Sequence, residues 1–355
     1  MKRIRLNSVL LSGLMLAGSV VIVGAKGRDK SYYAPAWDAQ APHVDAFNYT
    51  RAETDIMMKK YGANGFGEFA HGRAAYDIDH QITQTGNRDT IYSFGVFDLS
   101  KSDLTITLPD SKGNYMTLMP ISEDHDVYQG LNAPGKYTFK ESKVGTRYMV
   151  FVIRILCDPN DPKDMDRAHK LQDGVIVKQS DIGDMSGLKD WDEDEILAMR
   201  SAYSTLGSSL SSSKTFFGVK GDRSYLQAAM GVAVGWGGMQ EKDALYLPSK
   251  VEKNDGKTAY TITVPKDVPV DGFWSVTVYN KERYMVKNKY NSYAFNSLTA
   301  EKNADGTATL HLGGDPKAKN YLYLPKNWVY FVRFYQPHKE ILDGSWVFPK
   351  AVEVK

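Results

Sequence analysis

At 355 residues, with 42% hydrophobic and 24% charged side chains, the chain is long enough for two domains with cores of their own. Its formal net charge of +2 is too small to draw it to nucleic acid or to an anionic membrane surface. The single cysteine, Cys157, excludes an intramolecular disulfide, and its place in the apolar run of residues 150–157 reads as a buried structural thiol.

Residues 1–25 have the order of a secretory signal. Lys2, Arg3 and Arg5 precede an apolar run over residues 9–23, which ends in the cleavage pattern Val23-Gly24-Ala25. The run contains Gly and Ser and is shorter than the ~20 apolar residues of a spanning helix. Cleavage removes three positive charges and no negative ones, so the exported chain stands at −1. No cysteine stands near Ala25 to carry a lipid. The expectation is a soluble exported protein, periplasmic where the cell has an outer membrane, with no stable membrane anchor after signal cleavage.

Residues 26–42 are polar and irregular. Residues 44–61 have helical spacing, with Val44, Phe47, Ala52, Ile56 and Met57 near one face and Gly62 as the stop. A Gly- and His-containing loop follows to residue 85. From Thr90 the period changes to strands at residues 91–96, 104–108, 115–119, 137–140 and 148–155, separated by turns at 109–114 and 133–135. A helix opens at Asp161-Pro162, and a second starts where Asp192 and Glu195 resemble a capping box and ends near Gly207. Strands return at residues 259–264, 273–279, 307–312, 321–324 and 329–335. The fold class is therefore mainly β with helical insertions (α+β): two antiparallel β-sandwich-like domains joined by a helical segment. Expected boundaries are 26–185, a helical connector at 186–245, and 246–355.

Hydrolase elbows, phosphate-cradling loops and zinc-protease motifs do not occur in the sequence. Gly231 to Gly238 is glycine-rich without a dinucleotide pattern, which suits close passage of a backbone, with Trp236 as a pocket wall. The acid–histidine groups Asp77-Ile78-Asp79-His80 and Glu123-Asp124-His125-Asp126 lack metal-loop spacing and read as solvated loops, so no metal site is expected and the cofactor is unknown. Asn87-Arg88-Asp89-Thr90 compresses an amide, a guanidinium and a carboxylate at a strand entry. Arg88 has the shape to clamp a carboxylate or phosphate at two points, or else to pair with Asp89 and pin the strand.

Asn87 to Ser93, Asp98-Leu99, and Leu108-Pro109-Asp110 with Gly113, Tyr115 and Leu118 resemble the bacterial family of domain of unknown function 1254. Asp271 to Tyr279 and the tail Arg333 to Pro337, Ile341 to Trp346 and Pro349 resemble its companion, domain of unknown function 1214. The resemblance implies sandwich-rich architecture with helices beside the sheets, and no assigned chemistry. Residues 122–126 depart from the apolar stretch expected there, which implies a more acidic pocket than in relatives.

Two functions follow from these features. One is an exported hydrolase acting on a small polar or polyhydroxylated compound, with Arg88 and Asp89 as catalytic groups and Asn87, Tyr92, Tyr115, Trp236, Tyr279 and Tyr335 around the substrate. It requires these groups to converge on one concave pocket. The other is a non-catalytic module that binds a small-molecule or carbohydrate-like ligand, or interacts with the cell envelope. No nucleic-acid partner is expected for either.

Overall fold

The computed structural model describes residues 42–81, 83–210 and 214–355. The proposed signal, residues 1–25, lies outside the described residues. Within them, no helix is long and apolar enough to cross a membrane.

Among the described residues the chain is mainly β, in four sheets. A five-stranded sheet has Tyr148–Leu156 at its centre, flanked by Thr90–Asp98 and Met116–Ser122. A three-stranded sheet, built on Leu104–Leu108, packs on one of its faces. Alternation along the strands divides their side chains between two cores. Ile91, Phe97, Met149, Phe151, Ile153 and Ile155 point inward, against Leu104, Ile106 and Leu108, to form the first sandwich. Val96, Met119, Ile121, Val150 and Val152 point the other way.

The second sandwich pairs a sheet of order 294–296, 274–279, 329–335, 244–249 with one built on Tyr260–Val264 and Ala308–Leu312. Pairing is antiparallel throughout except for Ala308–Leu312 with Tyr321–Leu322. Its core holds Ile262, Val276, Val278, Leu310, Leu312, Trp328, Val332 and Phe334. Each sandwich thus keeps one sheet whose second face is free to meet something else. Those two faces meet each other around Tyr115, Phe273 and Tyr335, and the helix Tyr49–Gly65 lies beside them.

The helices show why local signals succeed or fail. Asp161 caps Pro162–Asp173 by accepting from the Lys163 N–H at 2.9 Å. Asp192 caps Glu193–Ser208 by accepting from the Glu195 N–H. The capping box is only half formed, because the Glu195 carboxylate reaches His43 and the Val44 N–H instead. The helix expected over residues 44–61 starts at Tyr49 and runs past Gly62 to Gly65. Gly62 serves packing there: a Cβ would stand 2.5 Å from Met185 Sδ. Part of the glycine-rich stretch is the end of a helix, Tyr225–Gly235, opened by a full capping box of Ser224 and Gln227. A Cβ on Gly231 would meet the Phe216 carbonyl at 2.6 Å, so close backbone passage does occur.

The two acid–histidine loops differ from one another. His80 is exposed and hydrogen-bonds Asp77, while Asp79 pairs with Lys287. Glu123 and His125 are buried, which corrects the expectation of a solvated loop. Arg51, from the helix Tyr49–Gly65, pairs with Glu123 at 3.1 Å, and Arg223 donates to the His125 carbonyl. Compensation from distant residues is what sequence-local reading does not see. Cys157 is buried and its thiol is pushed up to about 12, the state of an inert structural thiol.

Candidate ligand-binding site

A cavity of about 520 Å³ opens where the second faces of the two sheets approach. Tyr92, Phe94, Val152 and Arg154 line it from the first sandwich, and Tyr246, Phe331, Arg333 and Tyr335 from the second. Tyr61, Trp236 and the segment from Thr83 to Asn87 supply most of the remaining wall.

Strand register accounts for the polar groups. Arg154 stands directly opposite Tyr92 across one pair of strands, and Arg333 directly opposite Tyr246 across another. Each guanidinium lies near the face of a tyrosine: Arg154 is 5.5 Å from the Tyr92 ring, and Arg333 is 5.9 Å from the Tyr246 ring. Another part of the wall is aromatic. Tyr61 stacks on Phe94 at 4.2 Å, and Trp236 adjoins Tyr61 at 5.8 Å. The indole N–H of Trp236 donates to Thr54 Oγ1 at 3.1 Å.

Arg333 is tightly held. It donates to Thr277 Oγ1 at 2.9 Å, to the Thr85 carbonyl at 2.8 Å and to the Tyr279 hydroxyl at 2.5 Å. Tyr279 in turn donates to the Gly86 carbonyl at 2.7 Å. Together they fasten the 83–87 segment over the cavity. Gly86 fits only without a side chain, since a Cβ would enter the Tyr76 ring.

Arg154 is held loosely. Its hydrogen bonds run to Met119 Sδ and to the Gly237 carbonyl, both at 3.5 Å. No Asp or Glu lines the cavity. The acidic pocket expected from residues 122–126 is therefore not this one; His125 lies behind the wall, its Nε2 accepting from the Gly237 N–H at 3.0 Å.

The eight residues singled out from the sequence separate in space. Asn87, Tyr92, Trp236 and Tyr335 line this cavity. Arg88 and Asp89 open onto a second cavity of about 310 Å³, with Tyr290, Tyr293, Tyr321 and Asn291. They turn to separate partners. Arg88 donates to the Tyr76 carbonyl at 2.7 Å and lies over the Tyr293 ring, while Asp89 accepts from Asn296 at 3.0 Å. Burial pushes the Asp89 carboxyl up, and the nearby Arg333 charge pulls against that rise. Tyr115 and Tyr279 line neither cavity; Tyr115 packs edge-on against Phe273 and Tyr335.

Sequence reasoning passed over Arg154, Arg333, Tyr61 and Tyr246. The signal for the two arginines was present: each interrupts an otherwise apolar strand, Tyr148–Leu156 in one case and Val329–Tyr335 in the other. Nothing local distinguishes Tyr246 or Tyr61 from any other sheet or helix tyrosine. Among the described residues, no group of three or more His, Cys, Asp or Glu converges as a metal site would require.

The chain resembles the solved structure of the VPA0106 protein from Vibrio parahaemolyticus, at 18% identity and TM-score 0.66 over 87% of this chain and 98% of that one. It also matches an uncharacterized protein from Burkholderia cenocepacia, at 13% identity and TM-score 0.48 over 89% and 91% of the two chains. The first likeness establishes the fold. No curated protein matches the sequence. Two family models do match, and each supplies one side of the cavity: residues 66–139 contain Asn87, Tyr92 and Phe94, and residues 244–339 contain Tyr246, Arg333 and Tyr335. Arg154 and Trp236 fall between the matched segments. Residues 66–139 thus belong to the family described as Protein of unknown function (DUF1254), and residues 244–339 to the family described as Protein of unknown function (DUF1214).

Proposed function

We propose that the protein is an exported binding protein whose cavity between the two sandwiches takes a small organic anion. One observation carries this reading: Arg154 is buried on the cavity wall, and its hydrogen bonds reach only a thioether and one carbonyl, each at 3.5 Å. A buried cation costs several kcal/mol unless an anion or good acceptors offset it. An anionic headgroup at Arg154 supplies that offset, and the flat wall of Tyr61, Phe94 and Trp236 suits an apolar or aromatic body.

The hydrolase alternative needs Arg88 and Asp89 to act with the aromatic cluster on one substrate. These two side chains face a different cavity from Asn87, Tyr92 and Tyr335, which favours binding over hydrolysis. Export rests on residues 1–25, and the compartment we infer is the periplasm. Edman sequencing of protein recovered from a periplasmic fraction is expected to begin at Lys26; a start at Met1 would remove the cleaved-signal reading, and absence of the protein from that fraction would remove the export reading.

The binding reading is tested by isothermal titration calorimetry with benzoate, 2-naphthoate and hexanoate. At least one acid is expected to bind saturably, and Arg154→Met to weaken it by about tenfold or more. Affinity unchanged in that variant would sink the assignment of Arg154.

A further inference from the structure

We infer that Asn87 sets the hydrogen-bond polarity of this cavity, so that its headgroup site selects an ionised carboxylate over a neutral amide; the inference rests on the anion-binding reading above. The reasoning starts from a backbone amide. The Asp89 N–H, which can only donate, points at Asn87 Oδ1 at 2.7 Å. That contact fixes which end of the Asn87 side chain carries the NH₂ group. Nδ2 then faces Tyr335 Oη at 3.0 Å and Tyr92 Oη at 3.1 Å, with Thr90 Oγ1 at 3.3 Å. Nδ2 has two hydrogens and no lone pair to offer these three oxygens, so the two nearer ones, the phenol oxygens, accept.

A phenol that accepts from Asn87 directs its own hydrogen elsewhere. Among the described residues, neither Tyr92 nor Tyr335 has a protein acceptor for that hydrogen, and both line the cavity. Tyr335 stays protonated, since burial raises its hydroxyl well above the ordinary range. Its ring is held by stacking on Phe273 at 4.0 Å and by the edge of Tyr115. The outcome is two O–H donors beside the Arg154 guanidinium, all donating and none accepting. A carboxylate, which only accepts, matches this set. An amide of the same shape brings an NH₂ that finds no acceptor among the three, and buried unpaired donors are costly.

The experiment pairs each acid with its amide: benzoate with benzamide, 2-naphthoate with 2-naphthamide, hexanoate with hexanamide. Calorimetry on the wild-type protein is expected to favour the acid by about tenfold or more. In Asn87→Asp the new carboxylate accepts from both phenols, turning their hydrogens away from the cavity. The acid-to-amide ratio should then fall to about one or below, with the thermal midpoint little changed. A ratio that stays at its wild-type value while binding still depends on Arg154 overturns the role of Asn87 alone. Failure of every acid to bind the wild-type protein overturns the anion-binding reading and this inference together. If Asn87→Asp does not fold, the Tyr92→Phe/Tyr335→Phe double variant reads the same ratio, and an unchanged ratio there is equally fatal.

Discussion

Arg154 and Arg333 occupy matching places in two different sheets, and their surroundings could hardly differ more. Both sit on central strands, both face the shared cavity, and both have a tyrosine directly across the strand pair. Arg333 donates to three oxygens within 2.9 Å, and the Asp89 carboxylate contributes opposite charge behind it. Arg154 has two contacts at 3.5 Å and, among the described residues, no ion pair; the Asp243 carboxyl feels its charge only from beyond salt-bridge distance. The contrast teaches that burial of a charge does not by itself assign a role. A buried cation whose donors are met is a tether; one whose donors stay open is an invitation to a ligand.

The sharpest way to break this comparison is Arg333→Met. It removes the clamp on the 83–87 segment, leaves Thr277 Oγ1, the Thr85 carbonyl and the Tyr279 hydroxyl without their donor, and takes a compensating charge from near Asp89. A loss of about 3–5 kcal/mol in urea unfolding is expected. Loss of less than about 1 kcal/mol would mean that Arg333 is no tether.

Arg154→Met is expected to behave oppositely. Methionine keeps much of the volume and removes an under-satisfied charge, so stability should change by less than about 1 kcal/mol, while acid binding falls as stated above. If the two variants are equally destabilised, the division into tether and binding group fails.

A smaller effect concerns the support beside the cavity. Burial pushes the Glu123 carboxyl from its ordinary 4.5 to about 7, with Asp55 raising it further and Arg51 opposing. The Tyr148 backbone also opposes the rise, and Thr146 Oγ1 lies 3.3 Å from the Glu123 N–H. The folded protein then holds a proton that the unfolded chain has released between pH about 4.5 and about 7. Its contribution is present below the unfolded value and lost as pH rises through the folded one. Unfolding free energy measured across that window should decline in the wild-type protein and decline less in Glu123→Gln; parallel curves would discard the assignment.

Much of the architecture is legible before folding. Period-two runs mark ten strands, of which Leu104–Leu108 and residues 329–335 keep their predicted limits. Asp161-Pro162 and Asp192 mark helix starts because a cap is a local hydrogen bond between neighbours in sequence. Ala244–Ser249 carries no strand signal of its own, since half its side chains are exposed and its pairing partner lies at residues 329–335. The site is legible only in part. Asn87, Tyr92, Trp236 and Tyr335 can be picked out as an unusual amide and large aromatics, yet nothing in the string says that they meet.

What the sequence by itself determined is the alternation of each strand, the caps of the helices, and the resemblance to two families in one chain. Those depend on residues a few positions apart. Tertiary structure alone decided that Asn87 and Tyr335, 248 positions apart, share a hydrogen bond, and that Arg88 and Asp89 turn to another cavity. It alone also made Arg333 satisfied and Arg154 open. The physical reason is that a buried charge takes its meaning from partners on other strands, and strand register between distant segments is set by packing rather than by any local run of residues.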